Sequence, residues 1–323
     1  MEFRTLKYWG LRCLVVIAVG ILLNGCTKEV EIDIPGYEEQ LVIDGIIETD
    51  APPFILISRS KEVYAPTDLN TFLNGFVSGA TVTVSDGTTS IVLDELCSNN
   101  LPPGTEEQAA AIFGVSVADL ANYNLCGYTT FNTAVWGQVG KTYTLTVELD
   151  GNTYNAETTI VQPTALDSVY WQVEPGETNL GYSWCTLADP PNQFDAYKWE
   201  TKRINIVDGE ERDATYKETF NPVFDDEFFD GLTFDFWYEN PWATEDEVGE
   251  AAAWYYAQGD SVVIKLSKMD RNVFDYFEKK YTQLATTGNP FATPTNIPTN
   301  ISGGALGVWA GFSPSYDTLV CEP

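Results

Sequence analysis

The chain contains no histidine, and only 17 Lys and Arg stand against 47 Asp and Glu, a formal net charge of −30 over 323 residues. Each shortage excludes chemistry. Without imidazole there is no Ser-His-Asp or Cys-His nucleophile system, no His general base and no His-ligated metal. Without a basic footprint there is nothing to hold a nucleic acid. Three of the few bases, Arg4, Lys7 and Arg12, lie before the first apolar run. That run, residues 14–23, is the longest in the chain and is too short to span a bilayer, which takes about 20 residues. Apolar residues still make up 44%, enough for real cores, and the length suits two domains.

What is present begins with an address. A cationic start, the apolar run and Leu23-Asn24-Gly25-Cys26 match an export signal ending in a lipobox. Residues 1–25 are expected to be removed and Cys26 to carry lipid. Acyl chains contribute about 0.8 kcal/mol per buried CH₂, so several together make a lasting anchor. Residues 26–38, with Lys28-Glu29-Val30-Glu31-Ile32-Asp33, read as an acidic tether. The expected location is the outer membrane, lipid-anchored and facing outward.

An exported protein meets an oxidising space, so its remaining cysteines are read as disulfide partners. Cys97, Cys126, Cys185 and Cys321 allow three pairings. The expected one joins Cys97 to Cys126 across a local insertion and Cys185 to Cys321 as a staple on the C-terminus.

The fold class reads as mainly β. Residues 40–47 and 54–58 are short apolar runs between turn residues. Residues 79–87 alternate, with Ala80, Val82 and Val84 on one side, and Asp86-Gly87 turns the chain into 90–93. The same pattern recurs at 142–149, Asp150-Gly151 and 153–160. Two hairpins and two earlier strands predict an immunoglobulin-like β-sandwich over 39–163. Between the hairpins, Thr105-Glu106-Glu107-Gln108 is a capping box opening a short helix, and a second helix runs from Ser116 to Tyr123. Residues 110–125 resemble the helical half of a LysM peptidoglycan-binding module, without recognisable flanking strands. A second β-rich domain is expected over 164–323. Its strands are 167–173, 181–187, 196–207, 260–266, 305–312 and 316–320, with one helix near 271–285.

The order of these pieces is itself informative. The lipobox cysteine is followed by Leu41-Val42-Ile43-Asp44-Gly45-Ile46-Ile47. Then come Gly79 to Asp86 as Gly-Ala-x-Val-x-Val-x-Asp and Gly140 to Val147 as Gly-x-x-Tyr-x-Leu-x-Val. Tyr276-Phe277, Asn289-Pro290-Phe291, Asn300-Ile301 and Gly303-Gly304 stand late in the chain. Together they resemble a family of Bacteroidota outer-membrane lipoproteins known as domain of unknown function 4249. The resemblance implies a partner, a TonB-dependent β-barrel of the SusC type, and no enzyme activity. Residues 101–128 stand outside the pattern.

Candidate chemistry is sparse. Residues 225–250 hold ten acids and no base. No carboxylate spacing there specifies a glycosidase. Hard cations such as calcium suit carboxylates, but no D-x-[DN]-x-[DN]-G loop occurs, so no metal or other cofactor is assigned. The same stretch is rich in rings, and Trp237, Tyr238 and Trp242 are the expected partner or ligand contacts, because large rings anchor interfaces. The expected function is an accessory, ligand-capturing lipoprotein of a TonB-dependent transporter. The alternative is an assembly subunit of a larger outer-membrane complex. A glycan- or peptide-acting enzyme ranks third.

Overall fold

A computed structural model describes residues 38–61, 73–101, 103–113, 116–123, 125–286 and 296–322. The export signal, Cys26, nearly all of the tether and Asn289-Pro290-Phe291 lie outside these. The first strands are β1 (Leu41–Glu48), β2 (Phe54–Arg59), β3 (Thr81–Ser85), β4 (Ser90–Val92), β5 (Asp94–Cys97), β6 (Cys126–Thr129), β7 (Thr142–Leu149) and β8 (Asn152–Thr159). Then follow β9 (Ser168–Val173), β10 (Leu180–Ala188), β11 (Ala196–Arg203), β12 (Ile206–Val207), β13 (Glu210–Glu211), β14 (Lys217–Asp225) and β15 (Thr233–Tyr238). The last are β16 (Tyr256–Ala257), β17 (Ser261–Met269), β18 (Ile301–Ser302) and β19 (Leu306–Val320). Helices α1 (Glu106–Phe113) and α2 (Val117–Leu120) lie between β5 and β6; α3 (Glu245–Val248) and α4 (Arg271–Thr286) come later.

An eight-stranded sheet in the order β14-β11-β17-β19-β1-β2-β6-β5 forms a central wall. Three cores rest on it. Ile43, Ile47, Ile55 and Ile57 of β1 and β2 share one with Val82, Val84, Leu145 and Val147 of the five-stranded sheet β18-β8-β7-β3-β4. Trp199, Val262, Ile264 and Leu266 share another with the four-stranded sheet of β9, β10, β15 and β16. Val273, Phe274, Tyr276 and Phe277 of α4 cover Val308, Ala310 and Phe312. The 3.6-residue periodicity of this helix predicts a stripe of Val273, Phe274, Phe277, Tyr281 and Leu284; the first three are buried and Tyr281 packs against them, but Leu284 is exposed and Tyr276 is buried as well. Asp270 caps it, accepting from the Val273 amide at 3.0 Å, and also accepts from the Thr159 amide at 3.0 Å. One carboxylate therefore fixes both the helix start and its distance from β8.

The predicted hairpins form where their turn residues stand. Asp150 and Gly151 both take positive φ, 51° and 80°, the type I′ geometry that matches strand twist. The expected division at 163/164 is crossed by hydrogen bonds. Leu306 to Phe312 of β19 pair in parallel with β1, and Phe312 to Val320 pair antiparallel with β17. The first sandwich is thus completed by the C-terminal strand, and residues 39–163 are not a self-contained immunoglobulin-like unit. The two closing strands expected at 305–312 and 316–320 are one strand of 15 residues.

The helical insertion has the flanking strands its sequence did not reveal. Strands β5 and β6 pair antiparallel, with Cys97 opposite Cys126, and α1 and α2 lie between them in sequence. Ala109, Ala110, Phe113, Leu120 and Leu125 form a small core there.

Candidate ligand-binding face

The four-stranded sheet is built on β10, whose side chains alternate strictly. Gly181, Ser183, Cys185 and Leu187 are buried toward the wall, while Tyr182, Trp184 and Thr186 face away. Beside it, β9 turns Ser168, Tyr170 and Gln172 outward, and β15 turns out Asp235 and Trp237. Register then sets rows across the strands. Trp184 lies opposite Tyr170 on one side and Trp237 on the other. Ring centroids are 6.3 Å apart for Tyr170 and Trp184, and 6.4 Å for Trp184 and Trp237. Tyr182 extends the patch, 4.2 Å from Trp237 and 4.9 Å from Tyr255. Gly181 permits the approach of β9, since a Cβ there would sit 2.1 Å from the Gln172 carbonyl oxygen.

A polar row runs beside the rings. Ser168 Oγ donates to Thr186 Oγ1 at 2.9 Å, and Thr186 Oγ1 donates to Asp235 Oδ1 at 2.6 Å. On the other side, burial raises the pKa of the Tyr182 hydroxyl, helped by its hydrogen bond with Tyr255 and by the charges of Glu174 and Glu239. The Tyr170 hydroxyl is raised too, by burial first and then by Asp235. These shifts keep both hydroxyls protonated, able to donate as well as accept.

Of the three rings expected from sequence, this face holds one. Trp237 is 44% exposed. Tyr238, one residue on, points the opposite way. Its ring packs 4.9 Å from that of buried Trp199, and burial drives its hydroxyl pKa upward. Trp242 is half-buried, donates Nε1–H to the Thr201 carbonyl at 3.2 Å and carries Lys217 Nζ 5.0 Å from its ring centroid. The expectation of a Trp237–Tyr238–Trp242 contact is therefore corrected, because strand alternation separates the first two. Tyr170, Tyr182, Trp184 and Tyr255 were missed. Outward positions of β9 and β10 bearing rings instead of polar residues were the available clue.

The acid-rich stretch is not simply a solvated surface. Asp189, Asp226 and Asp230 place carboxylate oxygens within 4.8 Å of one another. Each accepts a hydrogen bond: Asp189 from Tyr197 Oη at 2.7 Å, Asp226 from the Asp195 amide at 3.0 Å, Asp230 from the Asn192 amide at 2.7 Å. The cluster ties two loops together. Burial raises the pKa of Asp226, with Asp189 and Asp195 adding to the effect.

Cys97 and Cys126 form a disulfide, S–S 2.10 Å. Cys185 and Cys321 are both fully buried in the second core but remain free thiols, so the expected staple is absent. Cys185 Sγ instead approaches the Phe236 carbonyl oxygen at 3.6 Å. Burial pushes the Cys321 thiol up to about 12, so it stays protonated and unreactive.

The sequence pattern of one family, described as Domain of unknown function (DUF4249), matches residues 27–316. The chain belongs to that family. No curated protein matches it. The DUF4249 match begins one residue after Cys26 and takes in every strand of the wall except the last residues of β19. It is consistent with an outer-membrane lipoprotein. Among the described residues no helix is long and apolar enough to cross a membrane.

Proposed function

We propose that this protein is a surface-exposed lipoprotein, held through Cys26, that captures ligand as a non-enzymatic accessory subunit of a TonB-dependent transporter of the SusC type. The observation that carries ligand capture is the outward aromatic patch of Tyr170, Trp184, Trp237 and Tyr182. Large rings facing solvent on a rigid sheet leave apolar area unburied, and contiguous patches of that kind mark binding sites. The patch stands on a packed sheet whose inner face is core, so it is preorganised. The transporter partner rests on the family resemblance.

Affinity purification of the tagged lipoprotein from solubilised membranes tests this reading. A SusC-type barrel should co-purify. Recovery of a stoichiometric complex with several other proteins and no such barrel would favour the assembly role instead.

The β5-α1-α2-β6 excursion supports a second reading. A LysM-like unit needs two strands flanking its helices, and here they pair. In that reading the excursion holds a cell-wall glycan, and the protein should sediment with purified peptidoglycan.

A further inference from the structure

The rim of the aromatic patch is acidic on both sides. Strand alternation puts Asp235 outward on one side of the Tyr170–Trp184–Trp237 row. On the other side stand Glu174, directly after β9 with its amide donating to the Leu180 carbonyl of β10 at 2.9 Å, and Glu239, directly after β15; both charges act on the Tyr182 hydroxyl. Glu239 Oε1 also accepts from the Phe220 amide at 2.9 Å, which holds it in place. Among the described residues, no ion pair or cation–ring contact of a lysine or arginine falls on this face. Lysines do lie over rings elsewhere, as Lys217 does over Trp242 and Lys198 over Phe277. Among the described residues, the outer rings of the four-stranded sheet have no lysine or arginine over them.

The negative face of an aromatic ring attracts cations, most strongly on Trp, and a nearby carboxylate adds charge attraction. We propose that this face binds a basic peptide, with ammonium or guanidinium groups over Trp184 and Trp237 and Asp235, Glu174 and Glu239 as counter-charges. Carboxylates on both sides of the row call for more than one cationic group, which excludes a simple monoamine. The hydroxyl row of Ser168 and Thr186 and the Gln172 amide offer hydrogen bonds to peptide groups. The methylene spacers of a polyamine would leave those unused. The chain-wide charge of −30 brings such a ligand in from a distance, while the rings fix where it rests.

This inference rests on reading the patch as a ligand surface, but its test is separate from the transporter's. The solubilised full-length lipoprotein is titrated with tri-arginine in a calorimeter, beside spermidine and neutral cellohexaose. Tri-arginine should bind, and added salt should weaken it. Trp184→Ala and Trp237→Ala should each weaken binding by roughly tenfold. Asp235→Asn keeps a group able to accept from Thr186 and serves as the variant that preserves the fold. It should weaken binding as well. Glu148→Gln, which removes the same charge from an exposed position on β7, should leave binding unchanged. Equal weakening by Glu148→Gln would reduce the effect to bulk charge and overturn the proposal. So would tryptophan variants that bind as the parent does, spermidine binding as tightly as the peptide, or cellohexaose binding in its place. If the barrel co-purifies and tri-arginine does not bind, this inference alone falls.

Discussion

Adjacent residues in β15 do opposite jobs, and the difference is measurable. Tyr238 is half-buried and packs on the core against Trp199, so Tyr238→Ala should cost about 2–3 kcal/mol in urea unfolding, below the range of about 3–5 kcal/mol for a fully buried ring. Trp237 faces out, and Trp237→Ala should cost about 1 kcal/mol or less. Equal losses at the two positions would contradict the assigned alternation. Asp86 gives a second residue-level test. It accepts from Lys141 Nζ at 2.7 Å, from the Thr88 amide at 3.0 Å and from the Thr89 amide at 2.7 Å, and these bonds lower its pKa to about 2. A carboxyl depressed from its unfolded value of 3.8 stabilises the fold above that value. The contribution should therefore vanish as pH falls from about 4 toward about 2. Unfolding measured against pH should show that slope, and Asp86→Asn should remove its share. The free thiols are set by residue-level packing too. An even cysteine count invites pairing, but it carries no information about which way two buried side chains point.

At the scale of elements, the β9–β10 contact depends on a missing side chain. Gly181→Ala places a methyl against the Gln172 carbonyl. The expected loss is about 1–3 kcal/mol, with amide exchange rising in β9 and β10 and the Tyr170–Trp184 stack disturbed. The β5–β6 excursion is pinned by one disulfide across 29 residues. Cys97→Ser should cost about 2–4 kcal/mol by freeing that loop. Faster amide exchange should stay within residues 98–125. Sequence patterning reached the strands whose alternation is plain, such as β3, β7 and β8, and the helix α4 with its aromatic stripe. It missed β14 and β15 because acids and rings are mixed there. On β15 the inward positions are Phe234, Phe236 and Tyr238, and the outward ones are Asp235 and Trp237, so both faces carry rings. Hydrophobicity alone cannot separate two aromatic faces. It also split β19 at Pro314. Pairing with β1 ends at Phe312, so from there the strand is bonded on the β17 side alone, where a residue without an N–H is tolerated.

At the scale of the whole molecule, the eight-stranded wall makes the two halves of the chain interdependent. Strand β19 lies between β1 and β17, and Trp309 from it enters the first core, donating Nε1–H to the Tyr143 carbonyl at 2.9 Å. A fragment of residues 39–163 lacks that strand and should not fold alone, as a collapsed amide dispersion in its NMR spectrum would show. A well-dispersed spectrum would restore the two-domain division. Such long-range pairing is invisible to local pattern, because nothing in residues 41–48 names a partner more than 250 residues away. The candidate face is a product of the same scale. It joins rings from β9, β10, β15 and the residue before β16, and only one of the three residues singled out in the sequence belongs to it. The most direct measurement of its role is native mass spectrometry of the lipoprotein extracted from its own outer membrane. The parent protein should release a bound ligand, and the Trp184→Ala, Trp237→Ala double variant, folded and surface-located, should carry none. A double variant that keeps the same ligand at the same occupancy would contradict capture by this face.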